Sequence, residues 1–390
     1  GSEMCIRDRP IPEKAMADIS KLMNNGDLFR YNSEGSPAEK LEVEFARTMG
    51  TRYALAVSSC SAALFLALKS LDLPNGARVL MPAFTFAAVP SSVVHANFIP
   101  VLCECGDDYR IDLNDFRKKI KKADAVLISH MRGHTSDMDV IISECKQAKI
   151  PLIEDAAHSL GTTWHGNKIG TLGDAGCFSF QSYKMLNAGE GGIFVTDNAE
   201  LFAKAVIMSG AYEHNWMKHQ GEHASFKKWQ NKLPLYNMRI NNLSAAIIRA
   251  QLPELNKRIE KGRHNHDFTA ERLNRSPWIC VPEKLRPETR APDSIQFNLI
   301  DMNSGEIDLF EKITSLSGLN IQIFGRTENN ARAFWNWKFL PETFELPKTR
   351  KMLMTACDVR LPPKLSQDEC RTISDVILSA IMTIKNGVAA

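Results

Sequence analysis

The chain has 390 residues, 44% of them hydrophobic and 24% charged, with a net charge of +3 when the histidines are neutral. That length carries a large core and more than one domain, and the composition is ordinary for a globular protein. So small a net charge, with Lys and Arg interspersed among acids, argues against nucleic acid or a membrane surface as partner, and no apolar run is long enough to span a bilayer.

Gly1-Ser2 reads as a tag remnant and the residues up to 9 as adapter-like, so 1–9 are set aside from fold reasoning; no signal-peptide pattern opens the chain. From about residue 50 to 210, strand-length apolar runs alternate with amphipathic helical stretches. The runs predict strands at Tyr53–Val57, Val79–Met81, Ile99–Cys103, Ala125–Ser129, Pro151–Glu154, Gly176–Phe180 and Gly192–Thr196. They hardly alternate in polarity, as strands covered on both faces should not. Helices are predicted at Ser61–Leu71, Leu113–Ile120, Met138–Gln147 and Ala199–Met208. This order argues for an α/β fold with a mostly parallel sheet flanked by helices. The basic cluster Arg117-Lys118-Lys119 with Lys121 and Lys122 reads as the exposed face of a helix. Residues 211–235 are polar, basic and aromatic with little periodicity. A long helical stretch from Asn242 to Leu273 follows, interrupted at Pro253. Strands at Ser294–Ile300 and Leu319–Ile323 and helices at Glu306–Ser315 and Gln367–Thr383 predict a smaller C-terminal α+β domain. The expected division is 10–255 for the large domain and 256–390 for the small one.

Three segments carry chemistry. Ile153-Glu154-Asp155-Ala156-Ala157-His158 closes a buried strand, and ligands of open α/β sheets gather at the carboxyl ends of strands. An acid there is a helix cap or a partly desolvated carboxylate that wants a cationic partner. Next, the strand ending in Phe178-Ser179-Phe180 leads to Lys184 and then to Gly189-Glu190-Gly191-Gly192. That lysine is either a loop residue or an amine nucleophile for carbonyl chemistry. The glycines precede a strand rather than open a helix, so they are no dinucleotide fingerprint. Finally, Ser58-Ser59-Cys60-Ser61-Ala62 follows a strand and begins a helix, the construction of a plain N-cap or of a phosphate cradle. The nine cysteines form no C-x-x-C pair, and Cys103 and Cys105 lack two further ligands at suitable spacing, so no metal is expected. Reduced thiols in a cytoplasmic protein are the expectation.

Together, E-D-A-A-H-S-x-G at 154–161 and F-S-F-x-x-x-K-x-x-x-x-G-E-G-G at 178–192 resemble the DegT/DnrJ/EryC1/StrS family of fold-type-I, pyridoxal-phosphate-dependent aminotransferases. Pro82-x-Phe84-Thr85-Phe86 and the stretch from Asn237-Met238-Arg239 to Leu252 match as well, and the resemblance runs from about Phe29 to Val359. In these motifs the chain looks most like scyllo-inosose aminotransferases and 3-amino-5-hydroxybenzoate synthases. The resemblance implies a seven-stranded, mostly parallel sheet and transfer of an amino group from glutamate or glutamine to a keto-sugar, keto-cyclitol or related carbonyl. Pyridoxal 5'-phosphate would be covalent on Lys184, with pyridoxamine phosphate as the intermediate form. Asp155 would pair with the ring nitrogen, His158 with the phenolic oxygen, and Phe86 and Ala157 with the ring faces. Ser61, the Ala62 amide and Ser179 would hold the phosphate, with Asn237 reaching it from a neighbouring subunit, hence a homodimer with shared active sites. Arg30 and Tyr31, with Lys218 and His219 in the basic loop, would border the mouth and meet substrate. The family usually has Gly-Thr where Cys60-Ser61 stands here, which puts the backbone of the phosphate loop in question. The alternatives are a dehydratase or cyclising lyase of the same fold, whose known relative carries His at the lysine position, and a non-catalytic regulator, expected to have lost the lysine or the acid.

Overall fold

The computed structural model describes residues 11–387, so the adapter-like segment 1–9 lies outside the described residues. In chain order the strands are β1 (Tyr53–Val57), β2 (Arg78–Pro82), β3 (Ile99–Cys103), β4 (Ala125–Ser129), β5 (Leu152–Asp155), β6 (Thr163–Trp164), β7 (Asn167–Lys168), β8 (Ala175–Ser179) and β9 (Gly192–Thr196). They are followed by β10 (Ile279–Cys280), β11 (Glu288–Thr289), β12 (Ser294–Leu299), β13 (Gln322–Ile323) and β14 (Ala356–Arg360). Seven of them form one sheet in the order β1-β9-β8-β5-β4-β2-β3. Within it β9 alone runs against its neighbours; the remaining pairs are parallel. The reason is the connection. The glycine-rich turn between β8 and β9 reverses the chain without a helix, whereas parallel neighbours require a crossover.

The apolar runs are explained by burial on both faces. Along β1, Leu55 and Val57 enter one core cluster while Ala54 and Ala56 enter another. Leu127 and Val126 in β4, and Phe194 and Ile193 in β9, divide in the same way. Helices such as Cys60–Ser70, Met138–Ala148 and Ala199–Met208 cover the sheet.

Beyond residue 250 the predicted break at Pro253 is a 3-10 turn, Leu252–Glu254, between the helices Asn242–Gln251 and Leu255–Leu273. A prolyl nitrogen donates no hydrogen bond, so the ladder stops there. An antiparallel sheet, β10-β12-β14-β13, follows, packed with the helices Ser304–Leu316 and Gln367–Gly387 through their own apolar cluster. Two details differ from expectation. Only Gln322–Ile323 of the predicted strand 319–323 pairs, and β14, unanticipated, pairs with both β12 and β13. Its sequence Ala-Cys-Asp-Val-Arg is too polar to announce a buried strand; in the fold Asp358 is engaged by Arg132 and Gln296. The segment 211–235 also has more structure than its composition suggested. It holds the helix His223–Trp229, and Trp216 stacks on Phe226 in the core with ring centroids 5.4 Å apart.

Candidate active site

The carboxyl ends of the parallel strands open on a cavity of about 460 Å³. Asp155 is the last residue of β5, paired in register with Ser129 on one side and Cys177 on the other. Its carboxylate is 5% exposed and fixed from several directions. Ser129 Oγ donates to Oδ2 at 2.7 Å, and the Ala157 amide donates to Oδ1 at 3.1 Å. Thr85 Oγ1 in turn donates to Ser129 Oγ at 2.8 Å, so a relay from the β2 end orients the acid. Cys60 Sγ lies 3.9 Å from Oδ1.

Lys184 stands on the turn after β8. That turn is pinned by Lys184 N to Gln181 O and by Phe180 N to Gly191 O, both near 2.8–2.9 Å. The ammonium faces His158, with Nζ 2.9 Å from Nε2. Burial lowers the Lys184 amine from 10.5 to about 7, helped by the positive charges of Arg132 and Arg360 and opposed by Asp293 and Asp155. Burial, then Lys184 and the same arginines, also pushes His158 well below its ordinary range, so the imidazole is neutral. An amine that titrates near neutrality is a usable nucleophile at physiological pH.

The third side is the start of the helix Cys60–Ser70. Ser59 is its N-cap, and Ser59 Oγ accepts from the Ala62 amide at 3.1 Å. Cys60 is not among the residues of positive φ, so the feared strain from a non-glycine is absent. Close packing is instead met by Gly192. A Cβ there would sit 2.3 Å from the Ser59 carbonyl carbon, so β9 can press its backbone against the helix start only as glycine.

Of the residues singled out from sequence, Ser61, Phe86, Asp155, Ala157, His158, Ser179 and Lys184 line this cavity together. Phe86 is 43% exposed and presents its ring to it. Ala62 is buried, and its amide is engaged by Ser59. Asn237 is exposed and does not line the cavity of its own chain.

Arg30, Tyr31, Lys218 and His219, expected at the mouth of the site, lie apart from the cavity lining of their own chain. Arg30 is 2% exposed and pairs with Glu42 at 2.8–2.9 Å. Tyr31 Oη meets His219 Nε2 at 2.8 Å, and His219 Nδ1 lies 3.1 Å from Glu42. Lys218 donates to the Tyr31 carbonyl. Burial alone would raise the Glu42 carboxyl, but Arg30 and His219 outweigh it and hold the group at about 2. The four side chains form a closed network that clamps β1 through the Ala56 backbone, and none of them lines the cavity.

Three arginines were not anticipated. Arg332 and Arg360 line the cavity, and Arg132 is buried next to them. Arg132 follows the end of β4 with φ at 55°, a left-handed conformation costly for a residue other than glycine, and its guanidinium is anchored on Asp358. The rule that sites gather at strand ends could have found Arg132; nothing local distinguishes the other two.

A model of the DegT/DnrJ/EryC1/StrS aminotransferase family matches residues 11–377. The chain belongs to that family. A GDP-perosamine synthase of Vibrio cholerae is 34% identical over 234 residues, 60% of this chain and 61% of that protein. The match thus spans less than two thirds of that relative's length. The spore coat polysaccharide biosynthesis protein SpsC of Bacillus subtilis is 31% identical over 392 residues, covering 97% of this chain and 96% of SpsC. A crystal structure of 3-amino-5-hydroxybenzoic acid synthase superposes with a TM-score of 0.83 at 22% identity, covering 96% of this chain and 98% of that one, which establishes a shared fold. Among the described residues no helix is long and apolar enough to cross a membrane.

Proposed function

We propose that this DegT-family chain is a pyridoxal-phosphate aminotransferase that takes an amino group from glutamate or glutamine and delivers it, by a ping-pong sequence, to the carbonyl of a keto-sugar or keto-cyclitol. The observation that carries the reading is the Lys184 amine, lowered to about 7 and held in one cavity with the anchored carboxylate of Asp155.

The residues present fit the cofactor. Asp155 offers a carboxylate to the ring nitrogen, Lys184 an amine to the aldehyde, and Phe86 and Ala157 surfaces to the ring faces. Ser61 and Ser179, beside a helix N-terminus, offer hydroxyls to the phosphate. When bound, pyridoxal phosphate supplies an electron sink for negative charge at the substrate α-carbon. Asp155, fixed by Ser129 and Ala157, would keep a proton on the ring nitrogen. Lys184 would hold the cofactor aldehyde and would carry the proton taken from the donor α-carbon. His158, neutral, would hydrogen-bond the phenolic oxygen. Asn237 reaches the phosphate of a neighbouring subunit, so the working unit is a homodimer with shared sites. The chain works in the cytoplasm, a reading supported by free thiols at all the described cysteines.

Borohydride reduction of the loaded protein followed by peptide mapping tests the assignment. The label is expected on Lys184, and glutamate or glutamine is expected to bleach the absorbance of the unreduced form. A label on another lysine, or no bleaching with either donor, refutes it.

A further inference from the structure

The hydrogen bonds on Asp155 are shared unequally between its two oxygens. A carboxylate offers about four acceptor positions, two on each oxygen. Oδ1 faces the Ala157 amide at 3.1 Å and the Cys60 thiol at 3.9 Å. Burial and the Asp155 charge push that thiol well above its ordinary range, so it keeps its proton and meets the carboxylate only as a donor. Oδ2 takes a single donor, Ser129 Oγ at 2.7 Å. Asp155 lines the cavity, and the acceptor position still open on it belongs to Oδ2.

The Ser129 bond has a second hydroxyl behind it. A carboxylate only accepts, so the Ser129 proton is committed to Oδ2, and Thr85 must be the donor in its 2.8 Å contact with Ser129. The chain of hydroxyls crosses three neighbouring strand ends: Thr85 lies just beyond β2, Ser129 ends β4 and Asp155 ends β5. Thr85 is fully buried, Ser129 is 6% exposed, and neither lines the cavity, so both reach a bound molecule only through Asp155. A hydroxyl that accepts a hydrogen bond donates a stronger one, and donors aimed at the charged form of a carboxylate favour that form. We infer that Thr85 and Ser129 are positioning residues: they present Oδ2 of Asp155, as a carboxylate, to the ring nitrogen of pyridoxal phosphate, so that the shared proton stays on nitrogen instead of passing to oxygen. A protonated ring is the stronger electron sink, so the same two hydroxyls set the rate at which Lys184 takes the donor α-proton. The inference rests on the aminotransferase reading and deepens it by naming the oxygen that meets the ring and the residues that act through it.

The test watches the ring nitrogen itself. Wild type, Ser129→Ala, Thr85→Val and Thr85→Ser are each loaded with pyridoxal phosphate carrying heavy nitrogen in its ring, and the nitrogen NMR signal is recorded at neutral pH. Thr85→Val deletes a hydroxyl with little change of shape, and Thr85→Ser keeps it. The signal is expected to move toward the unprotonated position in Ser129→Ala, by less in Thr85→Val, and not at all in Thr85→Ser. Single-turnover removal of the donor α-proton should slow roughly 10-fold in Ser129→Ala, the loss of one charge-assisted hydrogen bond, while cofactor affinity and the half-saturating donor concentration hold. If Ser129→Ala does not fold, the Thr85 pair decides alone. Variants that lose thermal stability but leave the nitrogen signal where it was have lost only a structural contact, and that overturns the inference. So does Thr85→Ser behaving like Thr85→Val. A wild type that binds no pyridoxal phosphate refutes the aminotransferase reading and this inference with it, whereas a wild type with a protonated ring nitrogen that no variant shifts refutes this inference alone.

Discussion

Lys184 should make the cofactor-free protein less stable at neutral pH, and replacing it should reveal by how much. The fall from 10.5 to about 7 corresponds to roughly 5 kcal/mol of disfavoured charge at about 1.4 kcal/mol per pH unit, reduced because the side chain keeps some contact with solvent. The sign follows from proton binding. Between pH 7 and 10 the unfolded chain holds a proton on this lysine and the folded one does not, so this group's contribution to stability rises with pH. Below pH 7 both states are protonated and the penalty is fully present. Lys184→Met removes the titration, while the packing of the new side chain adds an offset independent of pH. The stability gap between variant and wild type, from urea denaturation of cofactor-free protein at pH 7, 8.5 and 10, should therefore narrow by about 2–4 kcal/mol over that range. Other groups titrate alike in both proteins and cancel. A gap that stays constant with pH would refute a depressed Lys184 amine and remove the main support for its role.

Asp155→Asn should keep cofactor binding but slow turnover by on the order of 10³-fold, since an amide cannot hold the ring proton; single-turnover kinetics with glutamate checks this. Arg30→Ala should leave both Michaelis constants unchanged and destabilise the fold by about 3–5 kcal/mol in denaturant titration, because Glu42 is left buried without its main partner. Gly192→Ala should weaken cofactor affinity in a spectral titration and cost about 1–3 kcal/mol of stability, since the new Cβ meets Ser59 and Cys60 backbone that cannot swing aside.

The sequence by itself determined the sheet and pointed to three residues that the fold brings into one cavity. Strands buried on both faces need unbroken apolar runs, so β1, β3, β4 and β9 could be read to the residue or nearly so. Asp155, His158 and Lys184 were legible because each sits within a few residues of a strand end, where the backbone alone determines direction. The tertiary structure decided what depends on distant segments. Arg30 and Tyr31 have the chemistry of substrate contacts, yet Glu42 and His219 turn them inward, and only the fold brings those four side chains together. Arg132, Arg332 and Arg360 come from a strand end, a loop and β14, with no periodicity or motif to link them. Their joint charge on the cavity exists only once the C-terminal sheet is packed beside the large one, because electrostatic coupling follows separation in space and not separation along the chain.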